Sequence, residues 1–314
     1  MARTCLALLL MMVPRTAPAE SDFWAEVRRP GIGAYRQSIA EGRVLFEQRR
    51  LRESLDAFDR AARALADDPE GHLWRGNVLN ELGRWREAID AWERARELEP
   101  SLLDDRDHTF QMAITFSRVL DFPRAVAEYE RLIPRLEAAD GDELRAVVFA
   151  NCAESLMAQG PDHLGAAVRY YRRSLEHTPD YKLAHWGLAV ALDRQGSDVE
   201  ARAEARRALE GDEQMMALVT GGVFFVPDYE IHWYRALGFE ALGQREPALG
   251  EWRSYLAMGG ATGPWADRLR QLDAASTQPN QAVTRSRGAS RHPSGAPRAR
   301  AEDEPRERPR ETGP

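Results

Sequence analysis

The feature that most constrains this chain is an internal repeat. The segment from Gly42 to Ala66, GRVLFEQRRLRESLDAFDRAARALA, matches the segment from Gly76 to Pro100, GNVLNELGRWREAIDAWERARELEP. Gly42 returns as Gly76, Leu51 as Trp85, Ser54 as Ala88, Phe58 as Trp92 and Ala61 as Ala95, each 34 residues on. A unit that short holds two helices and cannot bury its apolar side alone, so the next copy must cover it. Small residues at Gly76 and Ala88 let two antiparallel helices approach closely, and Trp92 fills the space between that pair and the next. Gly83 ends the first helix in a backbone conformation that L side chains disfavour. Pro100 stops the second, because proline has no N–H to donate.

The pattern continues along the chain with increasing licence. Phe122, Ala125 and Tyr129 mark a third copy, set three residues out of step by an insertion around Leu103 to His108. Ala153, Gly160, Ala167, Tyr171, Ser174 and Pro179 mark a fourth, with two extra residues near Asp162. Leu188, Ala189, Gly196, Ala201, Ala208 and Leu209 carry a fifth, and Ala236, Gly243, Ala248 and Trp252 a sixth. This register places a small residue midway along the first helix and a glycine between the helices. An aromatic then opens the second helix, followed by alanine, a large ring, alanine and proline. It resembles the tetratricopeptide repeat family over about residues 35–260. The resemblance implies an all-α fold, a right-handed α-solenoid of about six helical hairpins. The copies fall near 35–68, 69–102, 106–139, 146–180, 182–215 and 229–262.

The flanks differ in kind. Arg3 precedes an unbroken apolar run, Cys5 to Val13, which Pro14 ends, and Ala17-Pro18-Ala19 supplies small residues for signal peptidase. The expectation is a signal peptide over 1–19 and an exported protein, periplasmic or secreted; a buried N-terminal helix is the alternative. Nine apolar residues are too few to span a bilayer, which takes about 20. Removing such a segment leaves Cys152 as the sole cysteine, a small buried hydrophobe on an apolar helix face. Residues 20–34 form an N-terminal segment whose Phe23 to Arg29 reads as a short helix stopped by Pro30-Gly31. After the last copy, Trp265, Leu269 and Leu272 share one face of a capping helix over 265–275, of the kind the end of an array needs. From 276 to 314 the residues are mostly Arg, Pro, Ser, Gly, Glu and Ala, with too little apolar surface to offset ordering entropy, and a disordered tail is expected.

Composition excludes some functions. A formal net charge of −7 gives no electrostatic reason to expect nucleic acid as a partner. The seven histidines show no metal-ligand spacing. The run Asp104-Asp105-Arg106-Asp107-His108 lacks the glycine and distal glutamate of a calcium loop and reads as an interhelical loop. Gly221-Gly222 is followed by no lysine and is not a phosphate loop, and no serine sits in a nucleophile elbow. Catalytic, cofactor and metal residues are therefore expected to be none.

Family resemblance implies that function resides on the concave surface lined by the first helix of each hairpin. In that register the inward residues are Trp74, Asn77 and Asn80 in copy two, and Phe110, Gln111 and Ile114 in copy three. Asn151 and Glu154 follow in copy four, Trp186 and Val190 in copy five, and Trp233 and Tyr234 in copy six. Rings with interleaved amides suit an extended peptide, the rings giving contact area and the amides pairing with its backbone. The same tryptophans also fit a core wedged between hairpins. The candidate groove is thus Trp74, Asn77, Phe110, Gln111, Asn151, Trp186, Trp233 and Tyr234, and the expected partner is a protein or peptide. Some members of the family grip a C-terminal carboxylate through lysines and asparagines. Here Ile39 and Arg43 stand where that clamp needs Lys and Asn, and only Asn77 is in place. The apolar stretch Met215 to Val226 reads either as internal packing or as an exposed docking patch. The resulting function is an exported interaction scaffold. An enzyme with a site between repeats, or envelope contact through the Arg-rich tail, are the alternatives.

Overall fold

The computed structural model describes residues 25, 27–136, 141–219, 228–259 and 262. The chain divides into Met1–Leu269 and Arg270–Pro314, and every described residue lies in the first. The expected signal peptide, the capping helix and the tail fall outside the described residues, as do 220–226 of the apolar stretch.

Twelve α-helices form six hairpins among the described residues, with no strand. They are α1 Ile32–Glu47 with α2 Leu51–Ala64, α3 Pro69–Glu81 with α4 Trp85–Leu98, and α5 Arg106–Arg118 with α6 Phe122–Leu132. The series continues with α7 Asp142–Ala158 and α8 Leu164–His177, α9 Lys182–Arg194 and α10 Asp198–Leu209, and α11 Ile231–Ala241 and α12 Arg245–Met258. Three starts are capped by the side chain of the residue before them, Asp68, Asp105 and Asp121. Asp68 accepts from the Glu70 N–H at 3.2 Å ahead of Pro69, and Asp105 accepts from the His108 N–H at 3.0 Å, each satisfying a donor the helix cannot. The acidic run of copy three is therefore a helix start, and Asp104 is held by Arg131 at 3.2 Å. No group of three or more His, Cys, Asp or Glu arranged to hold a metal occurs among the described residues.

The repeat positions do what their spacing requires. A methyl group built on Gly76 would stand 2.4 Å from Trp92 Cδ1, and one on Gly42 2.7 Å from Phe58 Cε1. Glycine is thus the condition for seating the ring, and Trp92 is 1% exposed. Gly83 has φ +73°; at the equivalent position Arg49 (+59°) and Leu120 (+63°) accept the same left-handed backbone. Copies one and three keep the turn without its glycine, at a cost of about 1 kcal/mol each.

Within each hairpin the two helices pack together, and each second helix packs on the first helix of the following copy. First helices of neighbouring hairpins also meet, α1 on α3, α5 on α7, α7 on α9 and α9 on α11; no two second helices approach as closely. The array therefore curves towards the side lined by its first helices.

The two halves differ along that side. In α9 every residue from Ala184 to Arg194 is buried, because the helix is packed against α7, α8, α10 and α11 at once. In α7 burial is continuous from Cys152 to Met157. A helix covered all round needs no amphipathic pattern. In α3 burial alternates with half-exposure, so its inner face remains open. Cys152 is fully buried, and burial pushes its thiol well above the usual range. No described helix is long and apolar enough to cross a membrane.

Candidate functional site

The open part of the inner side lies on α1, α3 and α5. Trp74 is half-buried on α3, stacked on Phe58 at 5.7 Å between centroids and met edge-on by Phe46 at 5.9 Å. The Arg43 guanidinium lies 5.3 Å from the Trp74 ring centroid. Arginine in place of the clamp's asparagine thus becomes part of the ring's surroundings.

Three amides continue from this ring. The Trp92 indole N–H donates to Asn77 Oδ1 at 2.9 Å. Because an indole nitrogen only donates, the Asn77 oxygen must face inward and its NH₂ is turned away from the core. The Thr115 hydroxyl donates to Asn80 Oδ1 at 3.0 Å and to the Gln111 carbonyl oxygen at 2.7 Å, and Asn80 Nδ2 donates to Gln111 Oε1 at 3.4 Å. Each amide oxygen is engaged within the protein. The Asn77 NH₂ and the exposed Gln111 NH₂ have no partner among the described residues. Donors without internal partners beside a half-exposed indole can donate to the carbonyl oxygens of an extended chain.

Phe110 is half-buried, edge-on to Tyr129 at 6.5 Å. Asn151 is half-buried on α7, close to the buried Tyr129 hydroxyl without a well-aligned hydrogen bond to it. Trp186, Trp233 and Tyr234 require correction. Trp186 and Trp233 are fully buried and Tyr234 is 2% exposed, so none offers surface to a partner. The Trp233 N–H donates to Asp193 at 3.0 Å, its face carries the Arg194 guanidinium at 4.5 Å, and its edges meet Trp252 and Tyr255, each at 5.1 Å. Trp186 fills the gap over Gly238, where an added methyl would stand 2.9 Å from its Cη2. These rings are the wedges between copies five and six.

Beneath them Arg194 pairs with Glu230, both nearly sealed from solvent, and the Tyr255 hydroxyl donates to the other Glu230 oxygen at 3.1 Å. His185 and His232 stand at the same place in the fifth and sixth hairpins, each 11 residues before the turn glycine, and they share a role. His185 Nδ1 lies 2.7 Å from Glu204, and His232 Nδ1 lies 2.5 Å from Glu251, each joining the two helices of its hairpin across the same 19 residues. In the described part of the apolar stretch, Met215 and Leu218 are buried while Met216 and Val219 are exposed.

A family model described as a tetratricopeptide repeat matches residues 39–101 and 153–215. Over those residues the chain carries tetratricopeptide repeats. Its two matched segments correspond to hairpins one and two and to the pairing of α7 through α10. Among solved structures, MamA from Desulfovibrio magneticus RS-1 is similar at 14% identity, over 56% of this chain and 94% of that one, with a TM-score of 0.47. YrrB, described as a TPR protein with an unusual peptide-binding site, is similar at 14% identity over 70% and 99%, with a TM-score of 0.40. PilW, a type IV pilus biogenesis factor, is similar at 15% identity over 76% and 97%, with a TM-score of 0.45. No curated protein matches the sequence. The tetratricopeptide copies that depart furthest from the family pattern, three and six, lie outside both matched segments.

Proposed function

We propose that this protein is an exported scaffold that binds a partner polypeptide along the inner side of its tetratricopeptide array, on Trp74, Asn77, Phe110, Gln111 and Asn151. The observation that carries the reading is the polarity of the amides. Asn77 turns its oxygen to Trp92 and leaves its NH₂ outward beside the half-exposed Trp74 ring. An indole supplies apolar contact, and amide donors pair with peptide carbonyls whatever the sequence. Export is supported by the apolar run Cys5 to Val13 followed by Ala17-Pro18-Ala19.

The test is selection of a random dodecapeptide library on the full-length chain, repeated with the Trp74→Ala and Asn77→Ala variants. Peptides enriched by the parent and lost with either folded variant support the groove. A parent that enriches nothing, or variants that keep the same peptides at the same affinity, would overturn it. Export is read separately, from N-terminal sequencing of the protein recovered from the cell envelope or medium: cleavage after Ala19 supports it, and an intact Met1 or Ala2 contradicts it.

A further inference from the structure

Glu154 stands out from every other acidic residue in the core. It lies on α7, one turn beyond Asn151 on a first helix, and is 9% exposed. The other buried carboxylates are engaged: Glu128 with Arg96 at 2.8 Å, Asp193 with Trp233, and Glu230 with Arg194 and Tyr255. Glu154 has neither a hydrogen bond nor an ion pair with any described residue, and its oxygens are not among the sealed polar atoms, so they keep a narrow contact with solvent. Its surroundings are phenolic. Tyr171 on α8, Tyr181 at the start of α9 and Tyr234 on α11 all feel its charge. Any of these hydroxyls placed against the carboxyl would satisfy it, yet none bonds to it. Leaving a buried carboxyl bare is costly unless a counter-charge arrives.

We propose that Glu154 is a socket for a cationic side chain, lysine or arginine, of the bound polypeptide. The inference rests on the groove reading above and specifies the partner's chemistry. A carboxylate without an internal partner suits an ammonium or guanidinium group, which donates to it in a charge-assisted hydrogen bond. Burial, reinforced by the charge of Glu230, raises the empty Glu154 carboxyl to about 8. Seating a cation must therefore release a proton below that pH, and affinity rises with pH up to about tenfold per unit.

The experiment uses the same dodecapeptide library on the full-length parent and on Glu154→Gln. Gln has the same shape, and a melting temperature no lower than the parent's shows that the variant folds. The expected result is one Lys or Arg position dominating the peptides selected by the parent and absent from those selected by Glu154→Gln. Selected peptides should bind the variant roughly tenfold or more weakly. Between pH 6 and pH 8 their affinity should rise for the parent and stay flat for the variant. If the parent enriches peptides without a basic position, or the variant selects the same basic peptides with unchanged affinity, the socket is refuted and the groove stands. If the parent enriches nothing, the groove and the socket fall together.

Discussion

Replacing Glu154 by Gln should stabilise the folded protein, and by an amount that depends on pH in a way fixed by the structure. In the folded state burial and the Glu230 charge hold this carboxyl at about 8, against an ordinary value of 4.5. The folded chain thus keeps a proton that the unfolded chain has released, so stability falls as pH rises from 4.5 to 8 and is level outside that window. At about 1.4 kcal/mol per pH unit, the loss at pH 7 is about 3 kcal/mol. Gln reproduces the neutral carboxyl and does not titrate, so the variant escapes that loss. For a chain of this size the gain corresponds to about 6–12 °C in Tm. The phenols facing Glu154 do not blur the window: Tyr129, Tyr171, Tyr181 and Tyr234 are all raised above the ordinary phenol value. The assay is thermal unfolding by circular dichroism of both full-length proteins between pH 4.5 and pH 9. The two Tm curves should coincide at pH 4.5 and diverge up to pH 8. Parallel curves, or a variant less stable at pH 8, would refute the reasoning.

Other expectations follow from named contacts. Gly76→Val forces side-chain atoms into the Trp92 ring, which a methyl would already meet at 2.4 Å, and should cost about 1–3 kcal/mol by denaturant unfolding. Trp186→Ala should cost about 3–5 kcal/mol because the ring is a sealed wedge, whereas Trp74→Ala should shift stability far less and act on peptide binding. Arg194→Met leaves Glu230 buried without its cation and should cost about 3–5 kcal/mol, with Arg194→Met/Glu230→Met recovering much of it in a double-mutant cycle. Gly83→Ala meets no atom within 4 Å, so its cost of about 1 kcal/mol should come from φ +73° alone.

The fold was legible because a repeat writes each packing decision several times. Gly42 and Gly76 sit under Phe58 and Trp92 in the same way, and one such pair with its period implies the neighbouring hairpins. Of the candidate groove, the residues that keep exposed surface were legible only in the first four hairpins of the array. Counted back from the turn glycines Gly83 and Gly243, Trp74 and Tyr234 occupy the same place on first helices, yet the first stays half-exposed while the second is 2% exposed; Trp186 and Trp233 stand one residue earlier, at the place of the buried Leu73. Nothing in a helical register records how tightly successive copies close. The bare state of Glu154 was equally invisible, since it depends on which tyrosine hydroxyls turn elsewhere. The equivalence of His185 and His232 was visible, and Glu204 and Glu251, each 19 residues on, were the signal that would have given the contact between the two helices.

The central claim is that partners lie along the first helices of the array. A selected dodecapeptide carrying a photoreactive benzophenone, crosslinked to the full-length protein and mapped by mass spectrometry, tests it most directly. The account predicts adducts on α3 and α5, around Trp74, Asn77 and Gln111. Adducts confined to the second helices α4 and α6, or spread evenly over the surface, would contradict it.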